Sequence, residues 1–207
     1  SRCVARFSEE LSGLGASNSR VALICLNSIE IAISTLAGYA AGAQVVPINP
    51  IYTARELTYI LKDADPAIVI SDVEISSTIA PLLSELEFPN AIYVGDGVRL
   101  LDQWRDDESA ALSKPFSIRD DLAVLQYTGG TTGYPKGVNI THGQLSVNIS
   151  QRECSIPTRP EEERVLCVMP LFHVFATSMC LHLTVYCRGT LVILKRYHPA
   201  DTLNALE

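Results

Sequence analysis

The chain is short of positive charge. Its 16 Lys and Arg residues against 23 Asp and Glu give a formal charge of −7 over 207 residues, the wrong sign for a surface that tracks phosphates along nucleic acid. Nor does it have an apolar run long enough to span a bilayer. The most apolar segment, "VALICLNSIEIAISTLAGYAAGAQVVPI", is interrupted by Asn27, Ser28, Glu30 and Gln44 and breaks into short elements. The opening "SRCVARFSEE" has no apolar core behind its basic residues, so it is not read as a signal peptide. Six cysteines, at positions 3, 25, 154, 167, 180 and 187, show no C-x-x-C pair and no zinc-like spacing. Most sit in apolar runs such as "VLCVM", and the expectation is buried free thiols in a reducing, cytoplasmic compartment. There is no internal repeat and no low-complexity tract.

What the chain does have is hydrophobic content and rhythm. At 47% hydrophobic residues it can bury a core of ordinary domain size. "RVALICL" is a continuous apolar run, as expected of a strand covered on both faces, and "SIEIAISTLAGYAAG" follows with helix length and small residues. "AQVVPIN" returns as a strand. Thr53 and Glu56 form a capping-box pattern ahead of "LTYILKDA", and Asp65-Pro66 stops that helix. "AIVIS", "SSTIAPLLSEL" and "AIYVGD" continue the alternation, which predicts an α/β fold with layered, mostly parallel sheets flanked by helices. The charged segment "DGVRLLDQWRDDESAALSKPFSIRDD" breaks the rhythm and reads as a surface excursion, because the strand "LAVLQYT" follows at once. Beyond residue 140 the pattern predicts a helix from about Thr141, the strand "RVLCVMP", a helix "HVFATSMCLHLTVYCR", the strand "TLVILK" and a helix starting at Pro199. Both ends, "SRCVARFSEEL" and "HPADTLNALE", lie inside helix-like patterns, and the chain is expected to be a piece of a longer protein.

The stretch with the least core-building material is "LQYTGGTTGYPKGVNITH", Leu125 to His142. Its position after a strand and before a helix lets successive backbone N–H groups and a helix N-terminus converge on an anion. Thr128, Thr131 and Thr132 add hydroxyl donors, and Lys136 adds a point charge suited to phosphate oxygens. Gly129, Gly130, Gly133 and Gly137 permit positive φ and close approach of a ligand. The arrangement is not a Walker loop, since Tyr134-Pro135 separate Gly133 from Lys136 and Gly137 follows; nor is it a G-x-G-x-x-G dinucleotide turn.

The pattern T-G-G-T-T-G-x-P-K-G resembles the signature of the adenylate-forming (AMP-binding) superfamily, which includes acyl-CoA synthetases, beetle luciferases and the adenylation domains of peptide synthetases. "LICLNSIE" is similar to that family's leucine-x-asparagine-serine turn. "GYAAGAQVVPINPIYTARELTYILKDADPAIVI" is similar to the βαβ unit that follows, and "MPLFHVFA" resembles the motif that lines its acyl pocket.

That resemblance implies part of the large N-terminal domain of an acyl-CoA synthetase-like protein over residues 1–207. The family's later motifs, which hold adenine, the ribose hydroxyls and, through a glutamate, Mg²⁺, and the small C-terminal domain with the adenylation lysine are implied to lie outside this chain. It implies two-step chemistry on a fatty or aryl carboxylic acid: ATP converts the acid to an acyl-adenylate with release of pyrophosphate, and CoA then displaces AMP. Thr128, Gly129, Gly130, Thr131, Thr132, Gly133 and Lys136 are implied to hold the phosphates, Thr128 also lying close to Mg²⁺, and His173 to sit beside the reacting carboxylate. Without the resemblance, His173 among Phe172, Val174 and Phe175 reads as a core or helix-start residue. Phe172 and Phe175 fit either a pocket wall or plain packing.

Thr141 reads as an N-cap and His142 as a residue that orders the loop. His182 and His198 have no motif around them, and the spacing of Cys180, Cys187, His173 and His182 matches no zinc pattern. The other readings are an aminoacyl-adenylating domain of a peptide synthetase and a non-catalytic nucleotide-binding module. On the leading reading, residues 1–207 by themselves are expected to form no acyl-adenylate.

Overall fold

Strand β1 (Arg20–Ile24) shows how the sheet is built. Its side chains point alternately to opposite faces, and both sets are buried: Val21 and Leu23 join one apolar cluster, Ala22 and Ile24 a second. A strand apolar on both faces needs a layer on each side. In this computed structural model, which describes residues 1–88, 90–99, 101–112, 117–129 and 135–206, helices supply both.

The elements in order are α1 (Arg2–Gly13), β1, α2 (Ile29–Ala40), β2 (Gln44–Pro47), α3 (Ala54–Ala64), β3 (Ile68–Asp72), α4 (Ser76–Glu85), β4 (Ala91–Val94), β5 (Leu122–Thr128), β6 (Lys136–Thr141), α5 (His142–Ser155), β7 (Arg164–Cys167), α6 (Val174–Ala176), α7 (Leu183–Cys187), β8 (Thr190–Ile193) and α8 (Pro199–Leu206). Among the described residues, one sheet has the order β4-β3-β1-β2-β5-β6, and β7 pairs with β8 in a separate two-stranded sheet. All neighbours in the large sheet are parallel except β5 and β6. The α/β architecture predicted from the alternation is therefore present.

Local chemistry explains the boundaries. Thr53 and Glu56 exchange side-chain and backbone hydrogen bonds in a full capping box that starts α3, worth about 1 kcal/mol. Asp65 ends the same helix in the left-handed conformation. Helix α2 lies close on the sheet because residue 38 is glycine: a Cβ there would come within 2.6 Å of Val45 Cγ2. Thr141 caps α5 with Gln144, as its position predicted.

Two expectations need correction. The segment after β4 is not a plain surface excursion, since Leu101 is fully buried and the Trp104 ring stacks on Phe7 at 6.4 Å. Arg99 pairs with Glu10 at 2.5 Å and Arg6 with Asp107 at 2.7 Å, so the segment clasps α1. Its polar composition hid the two apolar anchors that fix it. All six thiols are free, and Cys25, Cys167, Cys180 and Cys187 are buried, but Cys3 is only partly covered and Cys154 is exposed, because polar α5 carries it outward. Among the described residues no helix is long and apolar enough to cross a membrane.

Candidate functional site

The glycine-threonine loop joins β5 to β6 rather than a strand to a helix. "KGVNIT" pairs antiparallel with β5, Thr128 opposite Lys136, Tyr127 opposite Gly137 and Gln126 opposite Val138. The expected helix N-terminus is thus absent from the loop's described ends, and α5 begins only at His142. The reason is pairing. Six residues with β-branched Val138, Ile140 and Thr141 satisfy their backbone groups against β5, and the capping residue comes after them.

This hairpin sets Thr128 and Lys136 side by side at its mouth, both exposed. Directly opposed residues hold their Cβ atoms about 5 Å apart, so a hydroxyl and an ammonium flank the loop entrance. Gly129 is exposed, with nothing among the described residues within 4 Å of where a Cβ would stand, and without positive φ. Gly130, Thr131, Thr132 and Gly133 lie outside the described residues.

The base of the hairpin is fastened from below. The Tyr127 hydroxyl donates to Asp63 Oδ2 on α3 at 2.5 Å, and burial together with that carboxylate pushes the phenol well above its ordinary range. Gln44 Nε2 on β2 donates to Asn139 Oδ1 at 2.8 Å and to the Val124 carbonyl at 3.1 Å. Gly137 is glycine for packing, not for ligand approach. It lacks positive φ, and a Cβ there would meet Leu125 Cδ1 at 2.9 Å and Tyr127 Cζ at 3.3 Å.

His173 is an exposed N-cap at the start of α6. Its Nδ1 accepts from the Phe175 N–H at 3.2 Å, which in the neutral ring leaves the proton on Nε2. An outward Nε2–H donor is what a carboxylate or phosphate oxygen could use. Gln126, two residues before Thr128 on β5, reaches the Phe172 carbonyl at 3.5 Å, so the His173 segment abuts the strand that carries the loop. Phe172 is half-buried and Phe175 exposed, which makes Phe175 more available as a wall than as core.

The backbone leading to His173 is gripped from 144 residues away. Asn27 accepts from the Leu171 N–H at 2.7 Å and donates to the carbonyls of Met169 at 2.9 Å and Leu194 at 3.2 Å. The resemblance of "LICLNSIE" singled out this turn, but nothing in the local sequence pointed to its partners. Asp63 and Tyr127 carried no signal at all.

His142 and His182 serve the interior, whereas His198 is exposed beside Asp201. His142 packs edge-on against Tyr39, with ring centres 5.3 Å apart, and Tyr39 Oη lies 3.3 Å from His182 Nε2. Burial, helped by the charge of His142, pushes His182 down to about 4, and burial also lowers His142. His142 thus belongs to a buried cluster that neither its own position nor that of His182 foretold.

The family model described as "AMP-binding enzyme" matches residues 1–207. The chain belongs to the AMP-binding enzyme family. A 4-coumarate–CoA ligase-like protein of Arabidopsis thaliana is 29% identical over 196 residues, covering 90% of this chain and 35% of the relative. A long-chain-fatty-acid–CoA ligase of Salmonella typhimurium is 29% identical over 214 residues, covering 87% of this chain and 38% of the relative. Among solved structures, ATP-bound MatB from Rhodopseudomonas palustris superposes with a TM-score of 0.85 at 28% identity, over 98% of this chain and 40% of that one. A long-chain-fatty-acid-CoA ligase from Archaeoglobus fulgidus gives 0.86 at 25% identity, over all of this chain and 41% of its own. This member of the AMP-binding family therefore spans little more than a third of the length of the curated relatives it matches.

Proposed function

We propose that the full-length protein is an AMP-forming acyl-CoA synthetase for a fatty or aryl carboxylic acid. The observation that carries this reading is the β5–β6 hairpin, which sets Thr128 beside Lys136 at the mouth of the T-G-G-T-T-G-x-P-K-G loop, next to the segment that presents His173. Membership of the AMP-binding family and its CoA-ligase relatives support it.

In the proposed reaction a carboxylate oxygen attacks the α-phosphorus of ATP, the bond to the bridging oxygen breaks and pyrophosphate leaves. The CoA thiol, losing its proton, then attacks the acyl carbonyl and AMP leaves. Lys136 and the loop threonines hold the β- and γ-phosphates still and offset their charge, which in-line transfer requires. His173, its tautomer set by the cap, donates Nε2–H to the reacting carboxylate or the α-phosphate. Gly129, Gly130 and Gly133 leave room for the triphosphate.

Mg²⁺ is part of the proposal: it keeps waters and phosphate oxygens and takes few protein ligands. Bound with ATP it would neutralise phosphate charge, and Thr128 is the residue at the hairpin mouth that would reach it. The adenine, ribose and C-terminal lysine contacts are assigned to the part of the relatives' length that residues 1–207 do not span. Cytoplasmic action is part of the proposal, supported by six free thiols.

ATP–pyrophosphate exchange by the full-length protein, screened against straight-chain fatty acids, aryl propenoic acids and amino acids, tests the reading. Exchange that depends on a fatty or aryl acid supports it. Exchange only with amino acids would move the protein to the peptide-synthetase branch, and none with any acid would leave a nucleotide-binding module.

A further inference from the structure

We infer that Asn27 is a positioning residue for His173, holding the imidazole where the reacting carboxylate can meet it. The inference rests on the proposed adenylating function, and it concerns a residue outside both the loop and the His173 motif.

The turn after β1 is fixed on each side. Asp72 at the end of β3 accepts the Leu26 N–H at 2.5 Å, and the Ser28 hydroxyl caps α2 by accepting from Ile31 N–H at 3.3 Å. Between them the Asn27 carboxamide, only 7% exposed, engages Leu171 N–H, the Met169 carbonyl and the Leu194 carbonyl. A carboxamide of this length offers two N–H donors and an acceptor in one plane. Aspartate would keep the acceptor but turn two donated bonds into carboxylate–carbonyl repulsion, and a shorter side chain would reach none of the three partners.

From Leu171 the constraint runs to His173 in two residues. Leu171 N–H is held by Asn27, and the Leu171 carbonyl accepts from Thr177 Oγ1 at 2.6 Å. His173 N–H closes a turn on the Pro170 carbonyl at 2.9 Å, and His173 Nδ1 takes Phe175 N–H. The backbone on both sides of the histidine is thereby tied down while the ring itself remains exposed. Asn27 thus registers the segment bearing His173 against the large sheet that carries the phosphate loop. Misplacing a reacting group by about 1 Å costs on the order of 10²-fold in rate, so loss of this clamp falls on the chemical step.

The experiment uses the full-length protein and the acid that supports exchange, comparing the unmutated enzyme, Asn27→Asp, His173→Ala and the double variant by pyrophosphate release. Asn27→Asp is expected to lower kcat by roughly 10- to 100-fold with KM for ATP changed by less than about twofold. In the His173→Ala background the same change is expected to cost less than about twofold more, because the residue it positions is already gone. Thr177→Val, which releases the Leu171 carbonyl while keeping side-chain shape, should show the same dependence on His173 and serves if Asn27→Asp does not fold. Losses that multiply fully in the double variants, or a raised KM for ATP at constant kcat, would overturn the inference. An unmutated protein inert with every acid sinks the proposed function and this inference together; an active protein with independent losses sinks the inference alone.

Discussion

The Tyr127 hydroxyl donates to Asp63 Oδ2 at 2.5 Å, joining the strand that enters the glycine-threonine loop to a helix 64 residues earlier. Tyr127 is 6% exposed and lies on the face of β5 that packs on α3. The bond fastens the hairpin directly beneath Thr128. Tyr127→Phe removes the donor but leaves Asp63, which is exposed, open to solvent, and is expected to lower stability by about 0.5–1.5 kcal/mol, read as a lower urea midpoint at unchanged slope. An unchanged midpoint would mean that water replaces the tyrosine at Asp63.

Gly137 and Gly129 should respond oppositely to alanine. At Gly137 the new Cβ would press on Leu125 at 2.9 Å, and overpacking of this kind costs about 1–3 kcal/mol. At Gly129 nothing among the described residues lies within 4 Å, so stability should hold to within about 0.5 kcal/mol. Any rise in KM for ATP caused by Gly129→Ala then reports approach of the ligand rather than damage to the fold. Thermal melts of the two variants, with ATP titrations, check both halves.

Lys136→Ala in the full-length protein should weaken ATP use by the worth of a charge-assisted hydrogen bond, about 1.5–3 kcal/mol. Lys136 is exposed, so the melting temperature should not move. An ATP dependence identical to that of the unmutated protein would remove Lys136 from the phosphate site.

His173 is an observed N-cap and, on the proposed function, also meets the substrate; substitutions can separate the two. Serine keeps an N-cap acceptor but cannot reach substrate, whereas alanine loses both and about 1 kcal/mol of capping. Both variants should lower the adenylation rate more than ATP affinity, with only alanine lowering stability. If serine restores full rate, the histidine is a cap and nothing more.

His182 makes the fold sensitive to acid. Its pKa is about 4 in the folded chain against 6.5 for the free side chain, so above pH 6.5 it is neutral in both states and has no effect. As pH falls from 6.5 to 4 only the unfolded chain gains the proton, and stability is lost, by at most about 3 kcal/mol. His182→Gln should flatten that part of the curve. Asp72 works the other way: burial raises it to about 6, so its contribution is lost as pH rises from about 4 to 6. Melting temperatures of the unmutated protein and of His182→Gln across pH 4 to 8 test this; a constant gap between the two curves would refute it.

Much was legible in sequence wherever the cause is local. Continuous apolar runs marked β1 and β3 because strands buried on both faces require them, and Thr53 with Glu56, or Thr141 ahead of α5, marked helix starts because a cap needs only a few residues. The glycine-threonine loop and its lysine stood out by their local composition, whereas the histidine of "PLFHVFA" was singled out only through the family resemblance. Tertiary structure alone decided the rest. "KGVNIT" became a strand because β5 offered backbone partners to pair with, and no reading of those six residues alone supplies that partner. Leu101 and Trp104 turned a charged segment into a clasp on α1. Asp63 meets Tyr127 across 64 residues, and Asn27 meets Leu171 and Leu194 across 144 and 167. Hydrogen bonds over such separations leave no periodic trace in the chain, and they form only when the layers have packed and excluded the water that would otherwise take their place.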